Sequence, residues 1–219
     1  MSLDIKICGL KIAEALDAAL AGGASHVGFI FFPKSPRNIS PDEAGRLRQA
    51  ARGKAKAVAV TVDASDALLD EIVTSMSPDM LQLHGTESPA RVVELKGRYG
   101  LPVMKAFAIR EAPDLGAIKP HLGVADRFLF DAKPPIGSEL PGGNGIAFDW
   151  SLLQGLDPGI DYMLSGGLNA ANIGDALRLA NPPGIDISSG VESAPGVKDA
   201  VLIEEFFRAV RTANDKSEA

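Results

Sequence analysis

Short apolar runs alternate along this chain with longer stretches whose apolar positions recur every three or four residues. The runs are DIKICGL, HVGFIFF, KAVAVTVD, DMLQLHG, PVMKAFAI, RFLFDAK, DYMLSGG and GIDISSG, each of strand length. Between them lie IAEALDAALAGG, SPDEAGRLRQAAR, ASDALLDEIVTSM, SPARVVELKGRYG, DLGAIKPHL, NAANIGDALRLA and DAVLIEEFFRAV, which read as helices. Ser40-Pro41, Ser88-Pro89 and Asn169 each place a capping side chain ahead of a helical run, and the two prolines suit a first helical position. Gly22-Gly23 and Gly100 suit helix ends.

Strands that alternate with helices form βαβ units and a parallel sheet. Eight such units within 219 residues predict an α/β protein built as a single (β/α)8 TIM barrel. An open doubly wound sheet would carry GxGxxG after its first strand, where this chain has CGLKIAE. No linker or charge block divides the sequence, so residues 1–219 are expected to form one domain, with a frayed polar tail after Arg211 covering about residues 213–219. KPPIGSELPGGNGIAFDW is rich in Gly and Pro and lacks periodicity; it reads as a long loop after the sixth strand, of the kind that forms mobile lids.

Composition narrows the function. A net charge of −6 argues against a general nucleic-acid binder, yet a few local donors can hold phosphate on an acidic protein. A single cysteine, Cys8, forms no intramolecular disulfide, and the chain shows neither a signal region nor an apolar run long enough to span a membrane. A cytoplasmic protein with a small-molecule ligand is expected, without nucleic-acid or membrane partners, as a monomer or a homodimer. Three histidines at unrelated positions and one cysteine make no metal ligand set.

Active sites of barrels lie at the C-terminal ends of the strands. Polar residues concentrate there: Cys8 after the first strand, Lys34 and Arg37 after the second, Asp63 after the third, His84 after the fourth, Asp131 after the sixth, Ser165 after the seventh and Asp186 after the eighth. The last two turns, SGG and SSG, expose backbone N–H groups, and Gly166, Gly167, Ser188, Ser189 and Gly190 are expected to hold a phosphate. Taken singly, these glycines would only be turns, Cys8 a packed core residue and Arg37 a solvated charge.

KICGL, GFIFFPKSPRNIS, LQLHG, FLFDAKPP, GGNGIAFDW, LSGGLN, DISSGVE and PGVKD together resemble the phosphoribosylanthranilate isomerase family, in the family's order and over essentially the whole chain. The resemblance implies a cofactor-free Amadori rearrangement in tryptophan biosynthesis. It carries the general base onto Cys8, the general acid onto Asp131, the anthranilate carboxylate onto Arg37, and substrate contacts onto His84 and Asp186. The chain departs from the pattern at Lys11, where the family commonly has threonine, at Asn38, and in GGNGIAFDW, which lacks a lysine. Related readings are the histidine-pathway aminoaldose isomerase, expected to place Asp where Cys8 stands, indole-glycerol-phosphate synthase, which needs a lysine and a glutamate, and a non-catalytic phosphate-binding barrel.

The implied chemistry makes demands on both residues. Ring opening needs a proton on the ring oxygen, so Asp131 must act above the ordinary carboxyl pKa of ~3.9. Removal of the C2′ proton needs a thiolate, and an ordinary thiol at ~8.5 supplies little at neutral pH. Lys6 faces the same side of its strand as Cys8 and reads either as a positive neighbour of the thiol or as half of an ion pair deeper in the barrel.

Overall fold

A computed structural model describes residues 3–134, 137, 142, 143, 145 and 147–217. All eight apolar runs form strands: β1 (Asp4–Cys8), β2 (His26–Phe31), β3 (Lys56–Thr61), β4 (Met80–Leu83), β5 (Val103–Ile109), β6 (Arg127–Ala132), β7 (Tyr162–Leu164) and β8 (Gly184–Ile187). Each pairs in parallel with its sequence neighbour, and β1 also pairs with β8, with Lys6 opposite Asp186, which closes the barrel. Side chains on a strand alternate between faces. One set of Ile, Leu, Val and Phe from the strands packs outward against the helices, among them Ile7, Phe29, Leu81, Phe130 and Ile187. The other set fills the interior with Val58, Val60, Met80, Met104, Ala106, Leu129 and Met163, and Cys8 belongs to it.

The helices are α1 (Ala13–Gly22), α2 (Pro41–Ala51), α3 (Asp66–Met76), α4 (Pro89–Tyr99), α5 (Ile173–Ala180) and α6 (Ala200–Ser217). Ser40 caps α2 in a reciprocal box with Glu43, Ser88 accepts from the Arg91 N–H at the start of α4, and Gly23 and Gly100 end α1 and α4 in the left-handed conformation. Asn169 does not cap α5 itself; its Oδ1 accepts from the N–H groups of Ala171 and Asn172, bracing the turn ahead of the helix. The expected helix over DLGAIKPHL is a 3-10 segment, Ala112–His121, because Gly116 and Pro120 weaken α-helical hydrogen bonding there. α6 runs to Ser217 and takes in most of the stretch expected to fray. Much of the expected loop after β6 lies outside the described residues, and the chain resumes with a 3-10 segment at Trp150–Gly155. An antiparallel hairpin that the sequence reading does not contain, β9 (Glu192–Ala194) with β10 (Val197–Lys198), follows β8. Pro195 and Gly196 make its turn, and Gly196 adopts φ +81°, which favours glycine.

The N-terminal end of the barrel is closed by charge. Arg127 holds Asp4 at 2.7 Å and Asp161 at 3.0 Å. Beside them His26, almost fully buried, shares a hydrogen bond with Ser25 through Nδ1. Burial lowers its pKa from 6.5 to about 4, and neighbouring Arg127, Lys56 and Lys6 act in the same direction against Asp4. Between those values the unfolded chain binds a proton that the folded one excludes, so stability from this group is full above about pH 6.5 and falls as pH drops toward 4. Urea unfolding at pH 7 and pH 4.5 should show His26→Gln losing about 2–3 kcal/mol less on acidification than the parent chain. Equal losses in both would show that His26 is not the titrating group.

Candidate active site

At the C-terminal end of the barrel the inward positions become polar. Cys8 is 4% exposed at the end of β1. Two residues deeper, Lys6 is fully buried and donates to Asp186 Oδ1 at 2.8 Å, while Ser165 Oγ donates to Asp186 Oδ2 at 3.3 Å. Lys6 thus answers to both of its readings, as the ion-pair partner of Asp186 and as a positive neighbour of the thiol, and Asp186 is tied to Lys6 and Ser165. Gly28 on β2 makes room for this corner: a Cβ there would stand 2.9 Å from the Cys8 sulfur and 3.1 Å from Lys6 Nζ. Burial raises the Cys8 thiol above its ordinary value, Asp186 adds to the rise, and Lys6 and Lys198 pull it down without overcoming burial. The expected need for a pKa-lowering neighbour is therefore met only in part.

Asp131, also 4% exposed, is the penultimate residue of β6. Its Oδ1 accepts from the Ala132 N–H at 2.9 Å, and its Oδ2 lies 3.5 Å from His84 Nε2. His84 Nδ1 is 3.2 Å from the Gln82 amide, so β4 orients the imidazole toward Asp131. Gly142 backs onto the same pair: a Cβ there would fall 2.3 Å from Asp131 Oδ2 and 2.9 Å from His84 Nε2. Only a residue without a side chain lets the backbone come this close.

Arg37 is not solvated. Its Nε and Nη2 each donate at 2.8 Å to one oxygen of Glu192 on β9, and Nη2 also reaches the Gly143 carbonyl at 3.3 Å. Lys198 on β10 pairs with the same carboxylate and donates to Ser188 Oγ at 3.3 Å. Burial raises the Glu192 pKa, but Arg37 and Lys198 outweigh it and hold the group below the ordinary glutamate range. Lys11, one of the departures from the family pattern, donates to the Pro36 carbonyl at 2.8 Å, and Ile12 at the N-cap position of α1 supplies no side-chain cap. Lys11 thus straps the first loop to the second.

The two glycine-rich turns form one continuous rim. A Cβ on Gly190 would strike the Leu168 carbonyl at 1.9 Å, so the turn after β8 lies directly against the turn after β7. Gly166 and Gly167 both take positive φ, +91° and +64°. Asn169 and Asn172 both donate to the Gly167 carbonyl, which leaves that oxygen partnered within the turn. Ser188 Oγ donates to the Cys8 carbonyl at 3.1 Å, joining this turn to the end of β1.

A cleft of about 690 Å³, counting its open mouth, is lined by Cys8, Arg37, His84, Asp131, Gly166, Gly167, Asp186, Ser188 and Ser189. The structure therefore brings together nine of the ten residues expected from sequence, and Gly190 stands immediately behind them. The sequence reading missed Glu192, Lys198 and Gly142 as parts of the site, and it placed Gln82 at the end of the fourth strand without giving it a role. Glu192 and Lys198 stand within the quoted DISSGVE and PGVKD stretches, but only the hairpin shows that they share a partner. Among the described residues no cluster of His, Cys, Asp or Glu could hold a metal ion.

The family model described as N-(5′phosphoribosyl)anthranilate (PRA) isomerase matches residues 5–209. N-(5′-phosphoribosyl)anthranilate isomerase of Mesorhizobium japonicum is 78% identical over 215 residues, 98% of each chain. The crystal structure of phosphoribosyl anthranilate isomerase from Thermotoga maritima superposes with a TM-score of 0.86 at 32% identity, over 96% of this chain and all of that one. A phosphoribosyl anthranilate isomerase in complex with reduced 1-(o-carboxyphenylamino)-1-deoxyribulose 5-phosphate superposes with a TM-score of 0.83 at 29% identity, over 96% of this chain and all of that one.

Proposed function

The chain belongs to the N-(5′-phosphoribosyl)anthranilate isomerase family, and on that premise we propose that Cys8 is the base and Asp131 the acid of its reaction. The reaction is the Amadori rearrangement of N-(5-phosphoribosyl)anthranilate to 1-(2-carboxyphenylamino)-1-deoxyribulose 5-phosphate in tryptophan biosynthesis. The observation that supports the assignment is the placement of Cys8 and Asp131 as inward residues at the ends of β1 and β6, on one cleft with Arg37 and the two glycine turns.

The substrate phosphate is assigned to the rim of Gly166, Gly167, Ser188, Ser189 and Gly190, where backbone N–H groups meet an anion without a bulky side chain between. The anthranilate carboxylate is assigned to Arg37. The ribose then lies between Asp131 and Cys8. Asp131 gives its proton to the ring oxygen as the C1′–O bond breaks, and the nitrogen lone pair forms the C1′=N bond of a Schiff base. Cys8 takes the C2′ proton; the C–H electrons become a C1′=C2′ bond and the C=N electrons return to nitrogen. The ketone forms when the C2′ hydroxyl releases its proton and C1′ gains one. His84 holds the Asp131 carboxyl on the cleft side, and Asp186 with Lys6 supports the floor beneath the thiol. As an enzyme of amino-acid biosynthesis the protein is assigned to the cytoplasm, where its lone thiol stays reduced.

The assignment carries a pH dependence. Catalysis starts with one proton on the Cys8–Asp131 pair, located on Asp131. At high pH the pair loses that proton, so activity falls when the thiol titrates. Burial raises the thiol above its ordinary value, so kcat/KM should hold level from neutral pH and decline only on the alkaline side of the ordinary thiol pKa of ~8.5. Fluorescence decay of phosphoribosylanthranilate across this range measures it. An alkaline limb centred near pH 7 would contradict a buried thiol as the base.

A further inference from the structure

Arg37 meets Glu192 along its Nε–Nη2 edge, both N–H···O distances being 2.8 Å. A guanidinium has a second edge, Nη1–Nη2, with the same carboxylate-matching geometry. Nη1 lies at the cleft beside Gly143, where a Cβ would stand 2.7 Å from it. Glu192 and Arg37 are both buried, with side chains 3% and 5% exposed, so neither has room to reorient. The Glu192 charge is itself matched by Lys198, whose Nζ also binds Ser188 Oγ, and that hydroxyl holds the Cys8 carbonyl. The hairpin that carries Glu192 and Lys198 rests on the second loop, where a Cβ on Gly196 would come within 2.5 Å of the Pro36 carbonyl.

We propose that Glu192 is a positioning residue: it fixes Arg37 so that the Nη1–Nη2 edge faces the cleft and takes the arylamine carboxylate, while Lys198 balances its charge. The inference rests on the assignment of that carboxylate to Arg37. Its physical content is a sign. If Glu192 acted on the ligand only through its charge, removing that charge would strengthen binding of a carboxylate. If it acts by aiming Arg37, removing it weakens binding, because a loosened fork loses the alignment on which bidentate recognition depends.

The test measures affinity for two ligands by titration calorimetry: reduced 1-(o-carboxyphenylamino)-1-deoxyribulose 5-phosphate, and its phenylamino counterpart without the carboxylate. In Glu192→Gln the carboxylated ligand should bind more weakly, on the order of tenfold, with the carboxylate-free ligand unchanged. KM for phosphoribosylanthranilate should rise in parallel, with kcat altered less. The double variant Glu192→Gln with Lys198→Met removes the buried cation that the single change strands; it should show the same selective loss with melting restored toward the parent. Tighter or unchanged binding of the carboxylated ligand in a folded variant, or equal weakening of both ligands, would overturn the inference. Arg37→Gln separates the underlying assignment. If that variant keeps the parent's preference for the carboxylated ligand, Arg37 does not hold the carboxylate. If it loses the preference while the Glu192 variants keep it, the assignment stands and the role of Glu192 falls.

Discussion

Cys8→Ser is expected to lower kcat on the order of a thousandfold, with affinity for the reduced product analogue changed less than about threefold. The substitution replaces a thiol by a hydroxyl of nearly the same shape, and the pocket made by Gly28 admits the smaller oxygen without strain. What changes is basicity in the usable range. A serine hydroxyl does not ionise at neutral pH, and the two cations near this position, Lys6 and Lys198, already answer to Asp186 and Glu192. The contacts proposed for the phosphate and the carboxylate do not involve the sulfur, so binding should survive. Single-turnover fluorescence decay together with calorimetric binding checks both halves. A serine variant turning over within tenfold of the parent would remove Cys8 from the role of base.

Asp131→Asn should cost about as much, between a hundredfold and ten-thousandfold in kcat, by a different route. Asparagine is isosteric and its carbonyl can keep the hydrogen bond from the Ala132 N–H at 2.9 Å. It has no acidic proton for the ring oxygen, so the furanose ring opens only at its intrinsic rate. The C2′ proton becomes labile after opening alone. Incubation in deuterated solvent should therefore show negligible exchange at C2′ in this variant. Parent-like turnover, or rapid C2′ exchange, would place the acid elsewhere. His84, 3.5 Å from the same carboxyl, would then be the first residue to examine.

The places of Cys8, Asp131 and the rim glycines at the barrel mouth were legible in the sequence because barrel strands impose a simple rule, whereas the acid and base roles proposed for the pair came from the family resemblance. A residue ending an apolar run of this length stands at the C-terminal mouth, and every second position faces inward. Cys8, Asp131 and Asp186 follow from that rule, and so does the shared face of Lys6 and Cys8. Helix caps written in short local patterns, at Ser40 and Ser88, also came through, because capping depends on residues three apart. The helix expected after β5 became a 3-10 segment because Gly116 and Pro120 break the pattern inside it, a local effect the apolar spacing masks.

What the sequence by itself determined is the order of elements, the barrel, and the chemical types available at its mouth, because these arise from periodicity and from residues close in the chain. What only the tertiary structure decided is how those groups are partnered. Arg37 and Glu192 are 155 positions apart, and Lys6 and Asp186 are 180 apart. Such pairs form where barrel closure and a late hairpin bring distant strand ends together, and local patterning does not encode the contact. The same holds for the state of Cys8: its position was readable, but the burial that raises its thiol and the charges that oppose that rise come from several different strands and from the hairpin.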